Sequence, residues 1–222
     1  MISDFTIEQL ARLTFARHRP LVICDVDEVV VHFTRAFEAY LAARELWLDT
    51  GSFALNGNIR KKKNNDPVSA GLVAELVDDF FHQHTAELDA IDGAIAALHD
   101  LARDSSVVML TNLPHHARDK RIDNLQKHGL DFPVVTNSGP KGPAIRHLAD
   151  QTREPVVFID DSPGFIASAR QHAPEVHLIH FLHDDRFARH IEPFDFVSLR
   201  TGSWDEALPH IRQLIGLSRQ GS

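Results

Sequence analysis

Apolar positions along this chain follow two periods. A helical spacing comes first, at Ile7, Leu10, Ala11, Leu13 and Phe15. It predicts a leading helix over Thr6 to Arg17 that ends before Arg19-Pro20, because a residue preceding proline is biased out of helical backbone. The run Leu21-Val22-Ile23-Cys24 follows and stops on Asp25-Val26-Asp27-Glu28. Four apolar residues bounded by polar ones read as a strand buried on both faces. Residues 34–48 return to a helical stripe through Phe37, Tyr40, Leu41 and Leu48. From Thr50 to Asp66 the pattern dissolves into Gly, Asn, Ser and the basic run Arg60-Lys61-Lys62-Lys63, which predicts loop with a short strand at Ser52–Leu55. Asp66-Pro67 predicts a helix start, a cap residue before a proline in the first turn. Leu72, Leu76, Val77, Phe80 and Phe81 carry that helix to about His84.

After Ile91-Asp92-Gly93 helices and short apolar strands alternate. Helices are predicted over Ala94–Arg103, 115–128 (stopped by Gly129), Lys141–Asp150, Pro163–His172 and Trp204–Ile215. Strands are predicted at Val107–Leu110, Val134-Val135, Val156–Ile159 and Val176–Phe181. Ser218 to Ser222 are expected to fray. The alternation predicts a three-layer, Rossmann-like α/β domain, with a parallel sheet and right-handed helical crossovers on both faces. Residues 32–90 break the rhythm. They are expected to form a small, mainly helical cap inserted after strand one, leaving 1–31 and 91–222 as the core.

Composition narrows the function. The chain has 222 residues, 43% of them hydrophobic, enough for one sizeable core with a small appended module. The net charge of −8 makes nucleic acid an unlikely partner, since sequence-independent binding there relies on Lys and Arg neutralising phosphates. One cysteine excludes an intrachain disulfide and a multi-cysteine metal site, and it fits a reducing compartment. Met1-Ile2-Ser3-Asp4-Phe5 is not a basic segment followed by a long apolar one, so no signal peptide is expected, and no apolar run reaches membrane-spanning length. The expectation is a cytoplasmic protein without a membrane partner.

In a parallel sheet the C-terminal strand ends share one edge, where such folds place their ligand crevice. Strand one ends in Asp25-Val26-Asp27, Val107–Leu110 runs into Thr111-Asn112, Lys141 opens a helix after Gly139-Pro140, and Val156–Ile159 ends in Asp160-Asp161. Carboxylates held that close repel unless a cation or a shared proton intervenes. This ordered set resembles the four motifs of the haloacid dehalogenase-like (HAD) superfamily of phosphohydrolases, standing here as DVDEV, VVMLT, the Lys of GPKG and VFIDD. The resemblance covers roughly residues 20–182.

It implies a Mg²⁺-dependent phosphatase that hydrolyses a phosphate monoester through an aspartyl-phosphate. Asp25 is the implied nucleophile and Asp27 the acid and then base. Thr111 is implied to hydrogen-bond a phosphoryl oxygen, and Lys141 to neutralise charge. Asp25, Asp160, Asp161 and the main-chain carbonyl of Asp27 are the implied metal ligands. Within the resemblance, Asp27 favours a phosphatase or phosphotransferase over a dehalogenase, whose members lack an acid/base there. The expected substrate is a small phosphorylated metabolite, a sugar phosphate or nucleotide. The alternative is a non-catalytic metal- or ligand-binding module on the same scaffold.

Other residues read more plainly. Glu28 is expected to face solvent, Ser162 to cap the helix at Pro163, and Cys24 to be buried and inert. Asn112 contacts substrate or shapes its turn. The histidine groups follow no zinc pattern and read as surface residues; His115 and His116 lie just after Thr111-Asn112, with a substrate contact as the alternative. Arg60 to Lys63 read as a solvated loop, with an anionic contact as the alternative.

Overall fold

A computed structural model describes residues 2–216. The expected fraying of Ser218 to Ser222 lies outside the described residues. The core is a six-stranded parallel sheet with the spatial order β5-β4-β1-β6-β7-β8. Its strands are β1 (Leu21–Cys24), β4 (Ser106–Thr111), β5 (Val134–Thr136), β6 (Val156–Asp160), β7 (His177–Phe181) and β8 (Leu199–Thr201). The helices between them are α4 (Ala94–Asp104), α5 (Arg118–Lys127), α6 (Gly142–Ala149), α7 (Pro163–His172), the short α8 (Asp185–Ala188) and α9 (Trp204–Gly216), with α1 (Asp4–Arg12) ahead of β1. Strand alternation splits the buried side chains into two layers. Val22 and Cys24 join the core shared with α4 and α9, while Leu21 and Ile23 join the one shared with α1, α6 and α7. The result is the three-layer, Rossmann-like α/β fold.

Between β1 and α4 the chain makes α2 (Phe33–Ala42), a hairpin of β2 (Leu46–Leu48) and β3 (Ile59–Lys61), and α3 (Ala70–His84). None of these joins the six-stranded sheet. Phe33, Phe37, Tyr40, Phe80 and Phe81 bind α2 to α3 through ring contacts of 5.1–5.9 Å.

Several expected boundaries move. The leading helix starts at Asp4, because Ser3 accepts from the Thr6 amide, and ends at Arg12, where Leu13 is extended. The helix expected to reach residue 48 stops at Ala42. Glu45 adopts a φ of 56°, which no right-handed helix accommodates, and Leu46–Leu48 become a strand. The strand expected at Ser52–Leu55 forms instead at Ile59–Lys61, which takes in the first two residues of the basic run. Pro67 is not the first turn of α3. It bridges Arg60, Val68 N–H bonds the Ile59 carbonyl, and the helix begins after Ser69, whose hydroxyl accepts from the Leu72 amide. Two short elements, α8 and β8, are too brief to show a period.

Candidate active site

The register of the sheet assembles the site. Cys24 pairs with Met109 on one side and Ile159 on the other. Asp25, one residue on, is therefore level with Asp160, and Thr111 lies one residue beyond Leu110 on the neighbouring strand. The Asp25 amide still bonds the Ile159 carbonyl at 2.9 Å. Carboxylate oxygens of Asp25, Asp160 and Asp161 lie within 4.8 Å of one another. Lys141, at the N-cap of α6, reaches in with Nζ 2.7 Å from Asp25 Oδ1 and 2.7 Å from Asp160 Oδ2. It is fully buried, and Phe165 presents its ring 4.8 Å from the ammonium.

Gly142 allows that reach. A Cβ there would sit 2.2 Å from the Ser168 carbonyl oxygen, so α6 and α7 meet only because residue 142 has no side chain. The second Asp160 oxygen accepts from the Ser162 amide at 2.8 Å. Burial raises the Asp160 carboxyl above its ordinary value; Lys141 opposes that and Asp25 adds to it. Asp161 is raised as well, by burial and then by its acidic neighbours. Thr111 Oγ1 is buried with no hydrogen-bond partner among the described residues.

After Cys24 the chain folds back on itself. The amides of Val29, Val30 and Val31 all turn to the Val26 carbonyl, and Glu28 takes a φ of 59°. The indole of Trp204 fixes this turn by donating to the Val29 carbonyl at 2.8 Å. The turn keeps Asp27 out of the three-carboxylate cluster. Its Oδ1 lies 2.5 Å from Arg121 Nη2, and only 17% of its side chain is exposed. Burial raises the Asp27 carboxyl, and Arg121 pulls it back. Its candidate metal contact, the main-chain carbonyl, does not depend on where the carboxylate points.

Some expectations need correction. Glu28 does not face solvent. It is buried because the turn swings it inward, and its Oε1 accepts from the Thr34 amide at 2.6 Å. Ser162 stands at the N-cap of α7, but its hydroxyl makes no capping bond. Asn112 lines the cavity and shapes its turn, donating to the Gly139 carbonyl and accepting from Asn137. His115 bonds Thr136 Oγ1, His116 lies 3.7 Å from Asp78, and neither lines the cavity. The basic run lies outside the cavity lining. Arg60 pairs with Asp49, and Lys62 reaches the Ala42 carbonyl. Cys24 is buried and free, as expected.

Arg121 has no counterpart in the sequence reading. It is completely buried on α5, together with Asn124 and Leu125. Polar residues at i and i+3 of a helix's inner face are the pattern that singles it out. A second such group joins the core to the α2 segment. Arg186, on α8, holds both oxygens of Glu38 on α2, at 2.7 and 3.0 Å, and also bonds Asp184. Phe53 and Phe187 pack edge-on across the same boundary at 5.7 Å.

No protein-family model matches the sequence, and a search of curated proteins returns no relative. Solved structures do match. YfnB from Bacillus subtilis, a HAD-like protein bound to magnesium, is 15% identical with a TM-score of 0.55, over 86% of this chain and 97% of that one. A HAD family hydrolase from Deinococcus radiodurans with bound phosphate and sodium is 17% identical with a TM-score of 0.55, over 90% and 97%. The haloacid dehalogenase-like family protein SP0104 from Streptococcus pneumoniae is 12% identical with a TM-score of 0.59, over 89% and 100%. The likeness defines the fold, which this chain shares with HAD-like hydrolases. Among the described residues no helix is long and apolar enough to cross a membrane.

Proposed function

We propose that the protein is a Mg²⁺-dependent phosphatase that hydrolyses a small phosphate monoester through an aspartyl-phosphate on Asp25. The observation that carries this reading is Lys141 Nζ at 2.7 Å from both Asp25 and Asp160, beside the unpartnered hydroxyl of Thr111. Phosphoryl transfer asks for an in-line nucleophile, charge neutralisation and orientation, and this group contains each. An Asp25 oxygen bonds phosphorus as the ester oxygen leaves with its electron pair. Asp27 gives that oxygen a proton, then takes one from the water that cleaves the acyl phosphate. Lys141 neutralises charge and orients Asp25; Thr111 donates to a phosphoryl oxygen, with Asn112 beside it.

The donor set is all oxygen, which suits a hard divalent cation. Asp25, Asp160, Asp161 and the main-chain carbonyl of Asp27 would hold Mg²⁺, and when bound it supplies positive charge to the phosphoryl oxygens. Residues 32–90 act as a cap on a core of 1–31 and 91–222, excluding water from the cleft. A cytoplasmic location, expected from the cysteine content, belongs to the same reading.

The test is phosphate release from p-nitrophenyl phosphate with Mg²⁺, with and without chelator. Release that stops on chelation supports the reading. Asp25→Asn is expected to abolish release, at least 10³-fold, while circular dichroism stays that of the parent; wild-type turnover in this variant would refute the nucleophile. Metal binding without hydrolysis of any phosphate ester would leave the binding module instead.

A further inference from the structure

The cleft above the carboxylates is a cavity of about 360 Å³ whose floor and walls differ in chemistry. The floor carries Asp25, Asp27 and Asp161. The walls are apolar: Phe33, Leu48, Phe53, Val77 and Phe81 from the inserted segment and Phe187 from the core. Among the described residues no Lys or Arg lines the cavity. The polar groups in the wall are mostly committed elsewhere. Glu28 accepts from the Thr34 amide, both Asn112 amide atoms are used within its turn, Asp184 is held by Arg186, and His183 Nδ1 contacts the Gly202 carbonyl. A sugar ring would bring several hydroxyls against aromatic faces and strand them without partners, which is costly. A carboxylate or second phosphate on the leaving group would meet acidic side chains and no fixed cation.

We infer that the substrate is a monophosphate ester whose alcohol is apolar and uncharged, an alkyl or aryl chain seated against the inserted segment's phenylalanines, rather than a sugar phosphate or a nucleotide. The inference rests on the phosphatase reading for its hydrolytic step: the P–O bond to that alcohol breaks and the alcohol leaves protonated. It narrows that reading's substrate from small phosphorylated metabolites to apolar ones.

Two series test it on the full chain with Mg²⁺. In the first, kcat/KM is measured for n-propyl, n-butyl, n-pentyl and n-hexyl phosphate against glucose 6-phosphate and AMP. The alkanols differ little in acidity, so the trend reports binding rather than leaving-group strength. Each added methylene is expected to raise kcat/KM about 3–4-fold, and hexyl phosphate is expected to exceed glucose 6-phosphate by at least ~10-fold. In the second, non-hydrolysable n-alkyl phosphonates are titrated by calorimetry, and Kd is expected to tighten by a similar factor per methylene. Phe53→Asn and Phe81→Asn are each expected to flatten both trends. Hydrolysis that is flat with chain length, or fastest for the sugar phosphate or nucleotide, overturns the apolar assignment while leaving the phosphatase standing. Phosphonates that tighten with length while no ester is cleaved support the apolar cavity and overturn the phosphatase. Phosphonates that fail to bind, or bind without regard to length, overturn the inference.

Discussion

Arg121 and Asp27 form the pair on which the turn after β1 closes. The guanidinium is fully buried and its Nε has no partner among the described residues, so Asp27 and Asn124 carry the compensation seen there. Removing one member of a buried pair strands the other charge, which typically costs 3–5 kcal/mol, whereas removing both costs far less. Arg121→Met is therefore expected to destabilise the protein by about 3 kcal/mol, and Arg121→Met with Asp27→Asn to recover most of that loss; denaturant titration of the four-member cycle measures it. Two additive single losses would show that the pair is not coupled. This residue also marks where the sequence stopped being informative. Asp25, Thr111 and Asp160 end apolar runs, so strand register alone brings them together. Lys141 was readable only with them, through the order of the four motifs. Arg121 sits in Arg118-Asp119-Lys120-Arg121, which reads as a solvated helix face until Asn124 and Leu125 are seen beside it on the inner side. Glu28 was misplaced for a related reason: nothing in Asp27-Glu28-Val29 announces a φ of 59°, and the turn it makes decides which way the carboxylate faces.

At the level of elements, the longer helices that pack on the sheet were legible from their apolar stripes, and β1, β4, β5, β6 and β7 from continuous apolar runs bounded by turn residues. The hairpin of β2 and β3 was not. Three-residue strands show no alternation, and Arg60 and Lys61 are chosen by pairing with Trp47 and Leu46, not by local preference. How α2 is fastened was equally invisible, since Glu38 and Arg186 are far apart in sequence and each looks like an ordinary surface charge. Burial pushes the Asp184 carboxyl up, but the hydrogen bonds and charge of Arg186 outweigh it and hold the group below its usual value. A carboxylate depressed in the folded state stabilises above its unfolded pKa, about 3.9, and loses that contribution as the pH falls through the folded value. Arg186 is partly solvated, so Arg186→Met is expected to cost only about 1 kcal/mol. The gap between wild type and variant should stay constant from pH 8 to 5 and shrink below about pH 4, as read by denaturant titration. Amide exchange in α2 should quicken in the variant. Unchanged exchange there would mean that the phenylalanine contacts hold α2 without the ion pairs.

For the whole molecule, three carboxylates at one edge, met by a single lysine, leave the folded state with unbalanced negative charge. A cation that binds only the folded form stabilises it by mass action, about 2.7 kcal/mol at a hundred times its Kd. Added Mg²⁺ is expected to raise Tm by roughly 5 °C at that excess, and a chelator to reverse it. Asp161→Asn should blunt the rise without lowering the metal-free Tm, because this replacement removes charge from a crowded group. A Tm indifferent to Mg²⁺ would show that the folded protein does not bind it, and a rise left intact by Asp161→Asn would place the binding away from this residue.

Trp204 and Trp47 are the only indoles in the chain, and they report on different places. Trp47 lies on β2 and is 36% exposed, whereas Trp204 is 1% exposed and tied to the main chain two residues past Asp27. With Trp47 replaced by phenylalanine, the remaining fluorescence would come from one chromophore resting against the turn that carries Asp27. Its emission wavelength and quenching would then follow rearrangements of that turn in real time, with no label attached and independently of turnover.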